Sequence, residues 1–209
     1  MRVWPRLAGA AALALAAPAG ADRIVLAPRG LVMPPLSLKV EALVRNDGNA
    51  SLGWTRVGLP GEDLGLEVEI ERAEVRGRVR QALSLQYTLT GNLFTDLVPA
   101  LSLGVRDAGN SGREGRAFFA AATKTVGLSA AQELVVRRVD LHAAAGTGSL
   151  EGIMLGLDVR LRAGPTVSAE YLARRLNAAV SVPLGPFLSA RVCSIDGEPF
   201  FGAVLSLRR

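Results

Sequence analysis

Polar and apolar residues alternate in several segments of this chain. From Leu155 to Ala163, every odd position is apolar and every even position is glycine or a charged residue. Residues 64–72 repeat the pattern, with glutamates opposite the apolar positions. Because successive side chains of a β-strand point to opposite faces, this pattern predicts strands with one apolar face and one polar face.

Segments of this kind alternate with turn signals from residue 36 nearly to the end of the chain. We count about twelve segments, most of them about nine to eleven residues long, which is the length that a tilted strand needs to cross a bilayer. Strands of soluble sheets are usually nearer five or six residues. Residues 168–179 also fit a helix, with Leu172, Leu176 and Ala179 on one face.

The beginning of the chain is typical of an export signal. Arg2 and Arg6 precede a short apolar stretch, and small residues up to Ala21 suit a signal peptidase. An uncleaved N-terminal anchor is the alternative, although a spanning helix needs about 20 apolar residues. We therefore predict a secretory signal peptide over residues 1–21 with cleavage after Ala21, an extended lead-in over residues 22–35, and a β-barrel domain over residues 36–209.

These patterns predict an all-β fold, namely an antiparallel up-and-down transmembrane β-barrel of about 12 strands (10–12) in a bacterial outer membrane. Hydrophobic residues make up 49% of the chain and the mean hydropathy is +0.28. After the signal, however, charges, glycine or proline interrupt each apolar run before a helix could cross a bilayer. The alternative is a soluble periplasmic all-β module with a binding or structural role.

In a barrel, the polar rows line the interior. They mix acids with arginines, whose long side chains can cross the lumen and pair, so we expect a narrow or blocked interior. The alternative for these residues is the solvated face of a soluble sheet. The lumen-lining candidates are Glu67, Glu69, Glu71, Gln86, Arg106, Lys124, Asp158, Arg160, Arg162, Glu170 and Arg191.

The sequence contains few residues suited to catalysis or metal binding. His142 is the only histidine and lies two residues from Asp140 on the same strand face, so an Asp–His pair is possible. No G-x-S-x-G motif accompanies it, and we predict a non-enzymatic protein without cofactor or metal. A lipid-modifying barrel enzyme that uses His142 is a third alternative. The single Cys193 cannot form an internal disulfide.

The charge pattern excludes one class of partner, and the aromatic residues bear on the membrane interface. The net charge of +5 is spread over arginines interleaved with acids, which is not the concentrated basic face of a nucleic-acid-binding protein. Aromatic residues are 5% of the chain, enough for a sparse interfacial girdle, although scattered core positions are the alternative. The girdle candidates are Trp54, Tyr87, Phe118, Tyr171, Phe187 and Phe201.

Several short segments resemble a family of bacterial outer-membrane β-barrel proteins associated with exopolysaccharide production and secretion. Residues 99–107 and 116–124 are similar to a strand pair of that family. The segments 169–171, 176–178 and 200–203 are similar to its closing strands, and the resemblance covers roughly residues 64–209. The resemblance implies an outer-membrane barrel with a polysaccharide link and transfers no catalytic residue. With the strand pattern, it leads us to predict a passive structural or narrow-conduit role, with outer-membrane lipid, the barrel-assembly machinery, and polysaccharide or its export machinery as partners.

Overall fold

The computed structural model of the chain describes residues 24–59, 65–90, 98–111 and 115–208. The predicted signal peptide, with its cleavage position after Ala21, lies outside these residues. Within the described ranges, no helix is long and apolar enough to cross a bilayer.

Twelve β-strands form the described part of the chain, together with its turns, an N-terminal segment and two short 3-10 helices, at Gln132–Leu134 and Gly148–Leu150. In chain order the strands are β1 (Ser37–Arg45), β2 (Ala50–Leu59), β3 (Leu66–Val75), β4 (Arg78–Thr90), β5 (Ala100–Arg106), β6 (Ala117–Val126), β7 (Val136–Gly146), β8 (Gly152–Leu161), β9 (Thr166–Leu172), β10 (Arg175–Pro183), β11 (Leu188–Ile195) and β12 (Glu198–Arg208).

The sheet closes on itself. Each strand pairs antiparallel with its neighbours in the sequence, and β1 also pairs with β12. That last pairing runs from Ser37 opposite Arg208 to Arg45 opposite Phe200. A closed sheet leaves no row of unpaired N–H and C=O groups at an edge. The prediction of an antiparallel up-and-down barrel of about twelve strands is therefore confirmed.

The strand directions define two ends of the barrel. The terminal end carries Ser37, the end of β12 and the connections that follow the even-numbered strands, whereas the opposite, distal end carries the connections that follow the odd-numbered strands. Three distal hairpins turn in two residues of positive φ, at 76–77, 173–174 and 196–197. Two successive positive φ values characterise the type I′ turn, whose twist suits paired strands. The turn at 173–174 separates β9 from β10, so the helix that residues 168–179 also fit does not form.

The alternation sorts side chains between an outer and an inner face. On β8, Leu155 and Leu157 are exposed, whereas Met154 and Asp158 are buried. The outer face carries a belt of large apolar side chains, called here the outer belt, to which every strand contributes. One member from each strand, in order from β1 to β12, is Val44, Val57, Ile70, Leu83, Leu103, Phe118, Leu141, Leu155, Val167, Val180, Val192 and Leu205.

Candidate functional site

The lumen contains the chain's own N-terminal residues. Residues 24–35, called here the lumen segment, enter the barrel ahead of β1, and Ile24, Val25, Ala27 and Met33 are each at most 5% exposed. These residues lie in the predicted extended lead-in, but residues 24–27 bend, and the Ile24 N–H donates a hydrogen bond of 3.1 Å to the Ala27 carbonyl oxygen. Apolar side chains of the segment are removed from water there, which favours its insertion.

A single carboxylate holds the beginning of the lumen segment. Glu170, on the inner face of β9, accepts hydrogen bonds from the backbone N–H groups of Val25, Leu26 and Ala27 at 2.8–2.9 Å. The side-chain amide of Asn177 donates a further bond of 2.9 Å to the same carboxylate. Bonds from N–H groups to an ionised carboxylate are stronger than neutral ones, so Glu170 anchors this turn of chain.

The middle of the segment is anchored through Arg29 and Gly30. The Arg29 guanidinium forms an ion pair with Asp158 of β8. The main-chain carbonyl oxygen of Arg29 accepts hydrogen bonds from the side chains of Gln86 and Ser102. The Gly30 N–H donates to Thr123 Oγ1 at 2.8 Å. A Cβ on Gly30 would lie 2.3 Å from the carbonyl oxygen of Ala100, so this close approach to the wall requires glycine.

Two further wall residues bind the ends of the segment. Arg191 of β11 donates a hydrogen bond of 2.7 Å to the carbonyl oxygen of Ile24. Glu67 of β3 accepts one of 2.8 Å from the Met33 N–H. Near the exit from the lumen, a Cβ on Gly58 would lie 2.0 Å from the carbonyl oxygen of Pro34, so a side chain there would displace the segment.

His142 belongs to this same network. Its Nδ1 lies 2.8 Å from Thr123 Oγ1 and its Nε2 lies 2.8 Å from Asp158 Oδ2. The Asp140–His142 pair that the sequence allows does not form, because Asp140 binds Thr125 and Arg138 and His142 binds Asp158 instead. The hydrogen-bonded side chains of Thr123, His142 and Asp158 are buried beneath the lumen segment. It therefore holds Asp158 and Thr123 in position for Arg29 and Gly30.

The distal half of the lumen is packed with apolar side chains. They come from the inner faces of the strands and from the connection between β7 and β8, and Ile24 and Val25 join them. Its large members are Leu43, Trp54, Phe119, Leu150, Met154, Leu172, Ile195 and Phe200. Trp54 is 2% exposed, so its assignment to an interfacial girdle is wrong: even-numbered residues of β2 point inward. The other five girdle candidates are exposed.

Ion pairs link strands around the rest of the interior, some between neighbours and some across an intervening strand. Arg56 pairs with Glu69 between β2 and β3. Arg106 binds Glu71 at 2.8 Å, and Arg191 binds Glu41 at 3.1 Å. Buried charges are tolerated where such pairing compensates for their lost hydration.

The structure places nine of the eleven lumen candidates on the inner face: Glu67, Glu69, Glu71, Gln86, Arg106, Asp158, Arg160, Glu170 and Arg191. Lys124 lies on the outer face, because the odd-numbered residues of β6, such as Thr123, point inward. Arg162 lies beyond the end of β8, where its side chain donates a hydrogen bond to the Glu133 carbonyl oxygen. The predicted lumen positions of Lys124 and Arg162 are therefore wrong.

A cavity remains between the lumen segment and the wall formed by β3, β4 and β5. It has about 430 Å³ of empty volume, part of which is open solvent. Glu67, Ser84 and Arg106 line its wall side, while Leu31 lines its segment side. Phe119 and Leu150 of the apolar cluster also line it, so the cavity borders the packed distal half of the lumen.

Groups suited to metal binding are not assembled here. Among the residues that the structure describes, no three His, Cys, Asp or Glu side chains are grouped so as to hold a metal ion. Cys193 is buried on the inner face of β11.

The comparisons with known proteins concern the fold. No protein-family model matches the chain, and no curated protein matches it in sequence. The barrel is similar in fold to porins. The KdgM porin has a TM-score of 0.58 at 11% identity, over 83% of this chain and 99% of its own. The NanC porin has a TM-score of 0.53 at 7% identity, over 82% of this chain and 100% of its own.

The likeness to these porins stops at the architecture, because both identities are low. The role of the lumen depends on this chain's own residues, and the sequence pattern does not predict most of the residues that fill it. Ile24, Arg29 and Gly30 lie outside any predicted strand. The usable signal was a run of apolar residues in a segment that has no strand pattern and directly precedes β1.

Glu170→Ala removes the acceptor of three consecutive N–H groups. Leaving a buried donor unpaired costs about 1–3 kcal/mol. We therefore expect the amides of residues 25–27 to exchange with deuterium about tenfold faster or more, as measured by hydrogen–deuterium exchange mass spectrometry. Glu151→Ala, at an exposed position between β7 and β8, is the matched control and leaves these rates unchanged. Equal rates in Glu170→Ala and the natural protein contradict the anchoring role.

Proposed function

We propose that this protein is an outer-membrane β-barrel with a passive structural role, closed at rest by its own N-terminal residues. The outer belt supports the membrane location, because every strand presents large apolar side chains to the surroundings. In a bilayer these side chains face lipid, and the closed sheet satisfies its own backbone hydrogen bonds. A non-enzymatic role also agrees with the fact that both structural neighbours are porins.

The observation that carries the resting closure is the lumen segment itself. It is bonded to β3, β6, β8, β9 and β11 by side chains on different sides of the lumen. The apolar cluster around Trp54 and Phe119 fills the distal half. An open water-filled channel requires a polar interior without such packing. The interior therefore favours anchoring over steady conduction.

A soluble periplasmic module is the alternative that the outer belt argues against. Soluble monomers rarely expose contiguous apolar patches larger than a few hundred Å². Here Leu141, Leu155 and Leu157 are exposed on adjacent strands, and Leu141 and Leu157 face each other directly in the register. Such a surface in water is an aggregation hazard, whereas in lipid it is the stabilising face.

The membrane location is tested by Leu157→Arg. Arginine near the bilayer midplane on the lipid face of a barrel costs about 2–4 kcal/mol. We expect the variant to be depleted from the outer-membrane fraction and to lose heat-modifiable gel migration. Ser129→Arg, which introduces the same residue at an exposed site between β6 and β7, is expected to assemble normally. Normal assembly of Leu157→Arg means that this face does not contact lipid.

The resting closure is tested by conductance. The purified barrel, reconstituted in a planar lipid bilayer, is expected to show no persistent open-channel current, because the lumen segment and the apolar cluster exclude a continuous water path. The KdgM porin in the same bilayer serves as the positive control. A stable single-channel current from the unmodified barrel would overturn the closed resting state and favour the narrow conduit.

We also propose a link to envelope exopolysaccharide export, supported by the resemblance of residues 99–107 and 116–124, which contain β5 and most of β6. In a producing strain that lacks the protein, we expect secreted polysaccharide to fall at least twofold while cell growth is unchanged. A Leu157→Arg copy is expected not to restore secretion, whereas a Ser129→Arg copy restores it. Unchanged secretion in the lacking strain rejects the link and leaves the barrel's location unaffected.

A further inference from the structure

We propose that the lumen is a peptide-binding site, which this chain occupies with its own residues 24–33. The ligand class is a peptide in which an apolar stretch that turns around a carboxylate is followed by an Arg-Gly pair. The inference concerns the inside of the barrel and does not depend on lipid around it.

The first line of evidence is that wall side chains bind the main chain of the segment. Five N–H groups, those of residues 25, 26, 27, 30 and 33, donate to Glu170, Thr123 and Glu67. Two carbonyl groups, those of residues 24 and 29, accept from Arg191, Gln86 and Ser102. Strands of the wall bond through backbone ladders instead. The segment is therefore held as a bound peptide is held, by side chains that match its backbone groups.

The second line of evidence is selectivity at two positions of the bound segment. The Arg29 guanidinium meets Asp158, and the side chains of this pair are only 13% and 7% exposed. Next to it, a Cβ on Gly30 would lie 2.3 Å from Ala100 O and 2.5 Å from Thr123 N. Both atoms belong to the strand backbone, which cannot move aside as a flexible side chain can. The wall thus accepts arginine followed by glycine.

The third line of evidence is that wall residues hold the recognising groups in place. Asp158 is bonded to His142 and Ser168, and Glu170 is bonded to Asn177. Groups that are fixed before a ligand arrives bind it with less loss of conformational entropy. These recognising groups are therefore positioned by the wall as well as by the segment.

Covalent attachment explains why the segment normally fills this site. A tethered ligand acts at an effective concentration that reaches the millimolar range for a short linker. The lumen segment leads directly into β1, whose first residue is Ser37, so a free peptide must compete with a permanently attached one. A substitution that weakens binding of the attached segment makes the site available to a free peptide.

The experiment uses full-length barrels in detergent micelles and a fluorescent peptide with the sequence of residues 24–33. In the Gly30→Val barrel the attached segment cannot seat, and we expect the peptide to bind saturably, at least tenfold more tightly than it binds the natural barrel. Gly109→Val is the matched control, since a Cβ there meets nothing within 4 Å. It is expected to bind as weakly as the natural barrel. Fluorescence anisotropy gives the affinities.

Selectivity is measured with two altered peptides. Peptides carrying Arg29→Ala or Gly30→Val are expected to bind the Gly30→Val barrel at least tenfold more weakly than the natural peptide. Because the Gly30→Val peptide is the more apolar one, simple partition into micelles would instead strengthen its signal. The natural peptide is expected to bind the Gly30→Val, Glu170→Gln double variant at least tenfold more weakly than it binds the Gly30→Val barrel.

A second barrel, Arg29→Ala, keeps Gly30 and covers the case in which Gly30→Val does not fold. It lacks the ion pair to Asp158, so the natural peptide, which carries Arg29, is expected to outcompete the attached copy. Heat-modifiable migration and circular dichroism establish that each barrel is folded. If the folded variants bind no peptide, or bind the altered peptides as tightly as the natural one, the lumen is not a peptide-binding site.

Discussion

An unpaired main-chain polar group in a dry environment costs several kcal/mol, and this constraint shapes the molecule twice. In the wall it is met by closure, since β1 pairs with β12 and no sheet edge remains. In the lumen it is met by side chains, since the N–H groups of the lumen segment have no ladder to join. Glu170 alone accepts three of them. The same requirement thus produces a sheet without edges and a segment held by carboxylates.

The two halves of the lumen are stabilised by different forces. Toward the distal end, Trp54, Phe119 and Phe200 pack with small residues of the strands, and the gain is removal of apolar surface from water. Elsewhere, charged groups are buried and must be compensated. Asp158 illustrates this, because Arg29, His142 and Ser168 all bind its carboxylate. One of those three partners comes from the lumen segment, so the segment completes the charge balance of the wall that holds it.

Local sequence pattern predicts the sheet well because the pattern is itself a property of one strand. The alternation around Leu157 and Asp158 states which side chain faces out and which faces in. This prediction fails where residues of similar polarity occupy both faces of a strand. Small apolar residues occur on both faces of β6, so the pattern does not fix which face points inward, and the inward position predicted for Lys124 is wrong. The tight turn at Ala173 and Arg174 contains no glycine, although both residues have positive φ, and sequence alone offers no turn signal there.

The lumen segment could not be predicted in this way, because its partners are distant in the sequence. Val25 and Glu170 are separated by 145 positions, and neither residue carries a local sign of the other. The consequence for function is direct, since the fold shared with the KdgM porin describes the wall and not what fills it. Two barrels of the same architecture differ in what they conduct or bind through the inner residues and any chain inserted among them. In this protein that difference lies in residues 24–35, which convert a barrel wall into an occupied site.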